Sequence, residues 1–205
     1  MQLKEALNEL RKLEKKKFDQ SIDLLVSLKG VDVKKDNISA VISIPHKIKE
    51  KKVYGFLTKK TSLVNSITQL EFAKYKDKKA LKELVKKYDF FIASAPLMPS
   101  VATTFGKSLG PTGKMPSPQL GVLMKEDDPA ISALLEKIGK SIKIRVKEAS
   151  VKVSIGKESM SDAQIIENAE AFYTGLVAVL PTKKENVKSI MVKLTMSKPI
   201  KVEMK

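Results

Sequence analysis

One short segment of the chain combines glycines with a lysine in a pattern that could bind phosphate. It reads Gly-Pro-Thr-Gly-Lys over residues 110–114. In a P-loop, backbone amides cradle the phosphates of a nucleotide, and the motif requires glycine five residues before its Gly-Lys pair and serine or threonine after it. Ser108 and Met115 stand at those two positions. The sequence therefore argues against nucleotide hydrolysis by this segment.

The same segment leaves two other interpretations open. Prolines at 111, 116 and 118 would make residues 109–118 a stiff, exposed loop with free backbone amides. Such a loop can lie against a phosphodiester backbone, with Lys114 supplying positive charge. The alternative is a purely structural turn between a helix and a strand.

An aromatic residue follows a basic run just before the first predicted strand. The run is Lys-Lys-Lys at 15–17, and Phe18 comes directly after it. Phe18 could stack on a base or a ribose, although apolar residues at such positions more often pack at the end of a helix. Residues 192–199 form the polar end of a later predicted strand. They are either a second contact with nucleic acid or a plain strand edge.

Residues for catalysis or metal binding are scarce. His46 is the only histidine, it lies in a polar link where we expect it to be solvated, and cysteine is absent. Asp127 and Asp128 precede a proline at a predicted helix start, where negative charge is favourable without any catalytic role. We therefore predict no enzyme activity, no catalytic residue, no metal site and no cofactor.

Charge is the strongest compositional signal. The chain has 39 Lys and Arg against 23 Asp and Glu, a formal net charge of +16 and a pI near 9.8. Such a field attracts polyanions, of which nucleic acid is the commonest large one in a cytosol. Only Arg11 and Arg145 are arginines, so contact with backbone and shape is favoured over base readout. The alternative is a solvated, lysine-rich surface without a polyanionic partner.

The sequence also predicts a location. No apolar run is long enough to span a bilayer, and the first residues open an amphipathic helix rather than a secretory signal. The lack of cysteine fits a reducing compartment. We expect a cytoplasmic protein without a membrane partner.

Periodicity indicates alternating helices and strands. Predicted helices cover residues 3–17, 63–70, 78–88 and 161–180, the last opening with a Ser-Asp-Ala-Gln capping box. Predicted strands cover residues 22–28, 38–44, 52–58, 89–93, 142–147, 150–155, 187–195 and 199–204.

These elements suggest two domains of different class. Strands and helices alternate in the middle of the chain, which favours a small α/β unit, whereas both ends have α+β character. We predict an α+β domain from residues 1–52 and 142–205, with an α/β domain from residues 53–141 inserted into it. The basic charge is spread almost evenly over these segments, so it does not identify the binding face.

Several segments together resemble one known family. Three of them are Tyr-Asp-Phe-Phe-Ile-Ala at 88–93, Leu-Met-Pro at 97–99 and Leu-Gly-Pro-Thr-Gly-Lys-Met-Pro at 109–116. Two more are Lys-Phe-Asp-Gln-Ser at 17–21 and Val-Lys-Ser-Ile-Met-Val-Lys-Leu-Thr-Met at 187–196. In order and spacing they are similar to the ribosomal protein L-one family of the large-subunit mobile stalk, and residues 153–162 resemble its archaeal form.

The resemblance implies a fold and a role. It implies an α+β end-domain with an inserted Rossmann-like α/β domain, and no catalysis. It further implies binding of 23S-type rRNA at the exit-site stalk of the ribosome, assistance to the release of deacylated tRNA, and repression of translation through the protein's own mRNA. Off the ribosome we expect a monomer.

The resemblance also implies which residues contact RNA. On the end-domain they are Lys17, Phe18, Ser21, Asp23, Ser189, Lys193, Thr195, Met196 and Ser197. We expect these to lie side by side on two neighbouring strands and to contact sugar and backbone. A secondary contact from the inserted domain would use Gly110, Pro111, Gly113 and Lys114.

The chain departs from the family pattern at some positions. Ser197 stands where glycine is usual after the Thr-Met pair, and Thr112 replaces the usual arginine in the proline-glycine segment. The link after His46 lacks a glycine that is frequent in the family. Two alternatives to the family role remain, a phosphate- or nucleotide-binding enzyme that uses residues 110–114, and a general basic nucleic-acid binder with no rRNA role.

Overall fold

The chain divides into two compact units. The computed structural model describes residues 1–12, 16–31, 38–75, 78–146 and 148–204. The first unit comprises Met1–Ile48 and Lys140–Lys205, and the second comprises Lys49–Gly139. Each has its own hydrophobic core.

Helices and strands occur throughout the described residues. The α-helices are α1 (Leu3–Arg11), α2 (Lys78–Lys87), α3 (Met98–Thr112), α4 (Asp128–Gly139) and α5 (Asp162–Val179). The strands are β1 (Ser21–Leu28), β2 (Ser39–Ser43), β3 (Val53–Phe56), β4 (Asn65–Ile67), β5 (Phe90–Ser94), β6 (Val122–Leu123), β7 (Ser141–Arg145), β8 (Ser150–Lys157), β9 (Val187–Leu194) and β10 (Ile200–Val202). Short 3-10 turns cover Gln69–Tyr75, Ala95–Leu97 and Lys183–Asn186.

Strict alternation gives the main sheet of the first unit one buried face. Its order is β10-β9-β1-β8, and neighbouring strands are antiparallel. In β1, Ile22, Leu24, Val26 and Leu28 are buried and the residues between them are half-buried. Successive side chains of a strand point to opposite faces, so the polar residues of β1 share the other face of this sheet.

Helices α1 and α5 pack on the buried face. The core of the unit joins apolar side chains of both helices with those of β1, β8 and β9. Helix α5 also approaches β2, which pairs with β7 in a separate two-stranded sheet. A Cβ atom at Gly175 would lie 2.6 Å from Cγ2 of Ile42. Only glycine therefore permits this close approach of α5 to β2.

The predicted capping box sets the start of α5. Ser161 is the N-cap residue, its hydroxyl accepts from the Gln164 amide at 3.5 Å, and the Gln164 side chain accepts from the Ser161 amide at 3.4 Å. Two backbone donors without a helical partner are thus satisfied. The helix ends at Val179, before Pro181, close to the predicted end.

The second unit is built on a parallel sheet with the order β4-β3-β5-β6. All five residues of β5 are buried, as expected for a strand covered on both faces. Aromatic rings fill the core, with Phe56 stacked on Phe91 at a centroid distance of 5.8 Å and Phe105 4.7 Å from Phe56. The mixed helix and strand content predicted from the sequence is confirmed.

Helix α1 is shorter than predicted. It ends at Arg11, where the Lys12 amide turns to the Glu9 carbonyl oxygen in a tightened last turn. Lys16 and Lys17 are not helical, and residues 13–15 lie outside the described part of the chain. The buried leucines of α1 lie before this point. Beyond it come consecutive lysines, whose like charges oppose each other.

The helix predicted at residues 63–70 is also wrong. The segment forms β4 and then enters a 3-10 turn at Gln69. Val64 and Ile67 are buried and lie three residues apart, a spacing that a helix shares. Parallel pairing of Asn65 with Tyr54 and of Ile67 with Phe56 decides the outcome, because tertiary pairing outweighs weak local preferences.

The segment predicted as an exposed loop at residues 109–118 is helical in its first part. Helix α3 continues through Pro111 to Thr112 and stops at Gly113, whose φ of 71° is left-handed. Proline is tolerated here because it lies in the last turn, where few carbonyls have helical partners. The Gly113 amide donates to Gly110 and the Lys114 amide to Leu109. These amides are therefore not free.

Candidate nucleic-acid interface

The predicted contact residues Ser21 and Thr195 meet at one end of the antiparallel sheet. Ile22 pairs with Leu194 in register, which brings the start of β1 to the end of β9. The Thr195 amide donates to the Ser21 carbonyl oxygen at 3.1 Å. The Thr195 hydroxyl accepts from the Ser21 amide at 3.1 Å and lies 3.3 Å from the Ser21 carbonyl oxygen. These bonds fasten both chain segments to one another.

Two large apolar side chains are exposed beside this junction. Phe18 is 51% exposed and Met196 is 69% exposed, and each lies within three residues of Ser21 or Thr195. Phe18 does not lie at the end of α1, so the interpretation of a packed helix-end residue is wrong. Lys17 next to it is also exposed. Exposed apolar groups beside a lysine suit contact with bases or riboses.

Asp19 anchors the segment that carries Phe18. Its carboxylate accepts from the Ser159 amide at 3.1 Å and from the Ser159 hydroxyl at 3.0 Å. The Lys157 ammonium lies 3.4 Å away. Desolvation acts to raise the pKa of Asp19, but the hydrogen bonds from Ser159 and the charge of Lys157 outweigh it, so the pKa is lowered.

Gln20 positions Met196, and the sequence prediction missed it. The side chain is 3% exposed. Its Oε1 accepts from the Met196 amide at 3.3 Å, and its Nε2 donates to Glu158 Oε2 at 3.4 Å. The Gln20 carbonyl oxygen accepts from the Glu158 amide at 2.8 Å. One buried amide thus joins three segments, and a polar residue before a strand gives no sequence signal of that role.

Arg11 fixes the turn that supports Asp19 and Gln20. Its Nε donates to Asp162 Oδ1 at 2.7 Å, its Nη2 to the Met160 carbonyl oxygen at 2.7 Å and its Nη1 to the Glu158 carbonyl oxygen at 3.2 Å. The planar fork of guanidinium allows such a three-way contact. This role was also missed.

Ser197 closes the turn between β9 and β10. Its hydroxyl accepts from the Leu194 amide at 2.8 Å and lies 3.2 Å from the Lys198 carbonyl oxygen. Its φ is not positive, so the backbone here does not require the glycine that is usual in the family. The serine side chain is used inside the turn.

Asp23 and Lys193 lie opposite each other on the half-buried face of the sheet. Burial raises the pKa of Asp23, and the positive charge of Lys193 offsets the effect only in part. A carboxylate is an unexpected neighbour for RNA phosphates. The lysine beside it compensates its charge.

Ser189 is distant from the other predicted contacts. It pairs with Ser27 at the far end of β1. Six residues separate it from Thr195, which corresponds to about 20 Å along a strand. The expectation that Ser189 lies beside Ser21 and Thr195 is therefore wrong, because register places it at the opposite end of the sheet.

The residues predicted to make a secondary RNA contact do not form the exposed loop that was expected of them. Gly110 and Pro111 belong to α3, and Gly113 is its cap. The Lys114 ammonium donates to the carbonyl oxygens of Val85 at 2.7 Å and Tyr88 at 2.8 Å, at the end of α2. A cation there satisfies carbonyls without helical partners. The amides of Gly113 and Lys114, on which the phosphate interpretation depended, donate within the chain.

The carboxyl ends of the parallel strands hold an internal anion. Glu126 follows β6, and its carboxylate accepts from the amides of Thr58 at 3.0 Å and Lys59 at 3.3 Å and from the Thr58 hydroxyl. Burial acts to raise the pKa of Glu126, but hydrogen bonds from Ser94, Thr58 and Lys59 outweigh it, so the pKa is lowered. Ligands of open α/β sheets bind at this edge, and here a side chain of the protein occupies its amides.

The sequence predicted a solvated side chain for His46, but the structure gives this residue partners within the protein. Its Nε2 lies 2.6 Å from Glu167 Oε2, and its amide donates to Asn168 Oδ1 at 2.9 Å. Asn168 is fully buried and also donates to the carbonyl oxygens of His46 and Ile155. The polar link is therefore attached to α5.

Two searches of the described residues have negative results. No group of three or more His, Cys, Asp or Glu residues is arranged to hold a metal ion. No helix in the same part of the chain is long and apolar enough to cross a membrane.

Comparison with known proteins assigns the chain to a family of ribosomal proteins. The sequence model of the ribosomal protein L1p/L10e family matches residues 10–198, and the chain belongs to that family. It is 36% identical to the large ribosomal subunit protein uL1 of Thermofilum pendens, over 98% of this chain and 90% of the relative. It is 35% identical to uL1 of Thermococcus kodakarensis, over 98% and 96%, and 32% identical to uL1 of Pyrococcus horikoshii, over 97% and 94%.

Proposed function

We propose that the chain is a structural protein of the large ribosomal subunit that binds 23S-type rRNA at the mobile exit-site stalk. The observation that carries the proposal is the pair of exposed apolar side chains, Phe18 and Met196, beside the locked junction of Ser21 and Thr195. Rigid backbone and exposed apolar side chains reduce the ordering cost of binding.

The protein recognises the RNA through contacts with its sugars and phosphate backbone and through its folded shape. Lys17 and Lys193 flank the junction and supply point charges for phosphates. Arginine, which reads guanine edges in a fork, occurs only at positions 11 and 145. Arg11 is engaged with Asp162 and two carbonyl groups. Selectivity then comes from the folded shape of the RNA.

Membership of the family supports the biological role that we propose. The relatives are named as large-subunit proteins, so this chain acts in the cytoplasm on the ribosome. There it assists release of deacylated tRNA at the exit site, and it represses translation by binding its own mRNA. Off the ribosome it is a monomer.

The two domains divide this work. The α+β domain of residues 1–52 and 142–205 binds the rRNA, because Phe18, Thr195 and Met196 all belong to it. The inserted Rossmann-like α/β domain of residues 53–141 makes at most a secondary contact. Lys114 is engaged with α2 carbonyls, which lowers its value as a phosphate ligand.

The proposal is tested by binding of a stalk rRNA fragment. Phe18→Ala and Thr195→Ala should each weaken binding by about 1–3 kcal/mol, as expected for desolvated contacts. Leu70→Ala is the matched control, since Leu70 is 92% exposed in the other unit. Unchanged affinity in both test variants, with unchanged thermal unfolding, would show that the binding face lies elsewhere.

Selectivity separates the proposal from general basic binding. Affinity for the stalk fragment should exceed affinity for duplex DNA and for unrelated folded RNA at moderate salt, because nonspecific binding is mainly phosphate contact. Equal affinities would favour a general nucleic-acid binder.

Two cellular measurements address the wider role. The chain should co-sediment with large subunits after a high-salt wash. A reporter fused to the start of its own mRNA should be repressed when the chain is supplied in excess. The repression should be lost in Phe18→Ala if one surface serves both RNAs.

A further inference from the structure

A pocket opens next to the proposed RNA-binding junction. It has a volume of about 420 Å³ and is lined by Lys16, Gln20, Leu194, Met196, Ser197, Lys198 and Ile200. Its walls come from the turn between β9 and β10 and from the segment before β1. This volume lies within the range of roughly 300–1,000 Å³ that is typical of small-ligand pockets.

The pocket is apolar inside and basic at its mouth. Leu194 is buried and Ile200 is half-buried, so both belong to the wall, whereas Met196 is exposed. Lys16 and Lys198 are exposed lining residues. Among the described residues, none of those that line it is acidic. An apolar cavity between two cations fits a flat apolar group that is attached to anionic groups.

The polar side chains of the pocket are already engaged. The Gln20 amide bonds Met196 and Glu158 through its two ends. The Ser197 hydroxyl accepts from Leu194 and lies within bonding distance of the Lys198 carbonyl oxygen. Neither side chain is available to read the edge of a base, so the pocket can hold a ring without recognising its identity.

We propose that this pocket receives one unpaired nucleobase, extruded from the bound RNA, between Met196 and Ile200, with the flanking phosphates near Lys16 and Lys198. The inference rests on the proposed RNA-binding function and adds the chemical feature that the site recognises. Bases that are not stacked in a helix stack readily on apolar and aromatic side chains. An apolar side chain of a protein partner would gain nothing from the two lysines.

The test couples changes in the RNA to a change in the pocket. Each unpaired nucleotide of the stalk fragment is replaced in turn by an abasic nucleotide, and affinity is measured for the full chain and for Ile200→Phe, which fills the pocket. Val179→Phe is the control, because it adds the same ring at an exposed end of α5 in the same unit.

At one position, base removal should weaken binding to the unchanged chain and to Val179→Phe about tenfold or more. The same removal should have little effect on Ile200→Phe. Replacement of that base by another should matter less than its removal. If no position shows this coupling while the unchanged chain still binds the intact fragment, the pocket proposal is overturned and the proposed function stands. No binding of the intact fragment would instead refute the proposed function.

A second measurement covers the case in which Ile200→Phe does not fold. A fluorescent base, 2-aminopurine, is placed at each unpaired position and exposed to acrylamide in the complex with the unchanged chain. One position should become protected from quenching on binding. Equal quenching of free and bound RNA at every position would overturn the proposal.

Discussion

The buried Gln20 amide accepts a hydrogen bond from the Met196 backbone at 3.3 Å while its other end donates to Glu158. The backbone of Met196, whose side chain is 69% exposed on the proposed RNA surface, is therefore bonded to a buried polar group. An amide with both ends engaged specifies one position of the turn, because any shift leaves a buried polar atom without a partner.

Replacement of Gln20 by leucine tests this positioning role. The variant keeps a similar volume but leaves the Met196 amide without its acceptor, so the free energy of unfolding should fall by about 1–2 kcal/mol. Affinity for the stalk fragment should fall as well, because Met196 is no longer held. Gln119→Leu, at an exposed position of the other unit, is the control. Chemical denaturation and RNA binding give the two readouts, and an effect on stability alone would contradict positioning.

Arg11 offers a test of the network one step further away. Arg11→Lys keeps the charge but loses the fork that contacts Asp162, Met160 and Glu158 at once. We expect a loss of about 1 kcal/mol in the free energy of unfolding. The salt dependence of RNA binding should stay the same, because no phosphate contact is removed.

The other arginine provides the matched control for that experiment. Arg145→Lys changes an exposed side chain of β7 in the same unit. It should leave the free energy of unfolding nearly unchanged. Equal losses for both variants would mean that the three contacts of Arg11 add nothing to stability.

How far the sequence alone reveals these features depends on the range of the interactions. The capping box at Ser161 and the alternation in β1 are local, and both were predicted. Phe18, Thr195 and Met196 were predicted as RNA contacts through family motifs, and that role stays a prediction. Gln20 and Arg11 were not, since their partners lie more than a hundred residues away along the chain.

Other features depend on exact position in an element or on tertiary contacts. The glycine-proline segment was taken for an exposed loop because proline usually ends helices, but its position in the last turn of α3 removes most of that penalty. The role of Lys114 as a phosphate contact stays a prediction, although its ammonium donates to the Val85 carbonyl oxygen at the end of α2. Ser189 was placed beside Thr195, although the register of β9 separates them.

Asp23→Asn should stabilise the protein at neutral pH. Burial raises the pKa of Asp23 above its ordinary 3.8, so the folded state favours the protonated form. The stabilising contribution of this group is present below about pH 3.8 and is lost as pH rises through the folded pKa. Asparagine mimics the protonated form and avoids that loss.

The measurement is the free energy of unfolding at pH 3 and pH 7. The gain from Asp23→Asn should be present at neutral pH and shrink towards pH 3, and affinity for RNA should rise because a negative charge leaves the binding face. Glu9→Gln, an exposed change on α1 in the same unit, should show neither effect. A destabilised Asp23→Asn at pH 7 would mean that the pairing with Lys193 outweighs burial.

Glu126→Gln should have the opposite dependence on pH. The pKa of Glu126 is lowered from its ordinary 4.5, since hydrogen bonds from Ser94, Thr58 and Lys59 outweigh burial. Its stabilising contribution is therefore present above about pH 4.5 and is lost as pH falls through the folded pKa. Glutamine removes the charge and should lower the midpoint of thermal unfolding at pH 7 but not at acid pH.

The control for this change is Glu136→Gln, which alters an exposed glutamate of α4 in the same unit. It should leave the midpoint unchanged across the pH range. Stalk RNA affinity should be unaltered in both variants, because the proposed contacts lie in the other unit. A loss of affinity in Glu126→Gln alone would contradict this expectation. It would mean that the C-terminal ends of the parallel strands take part in RNA binding, because the Glu126 carboxylate holds the loop after β3 in the conformation that binds.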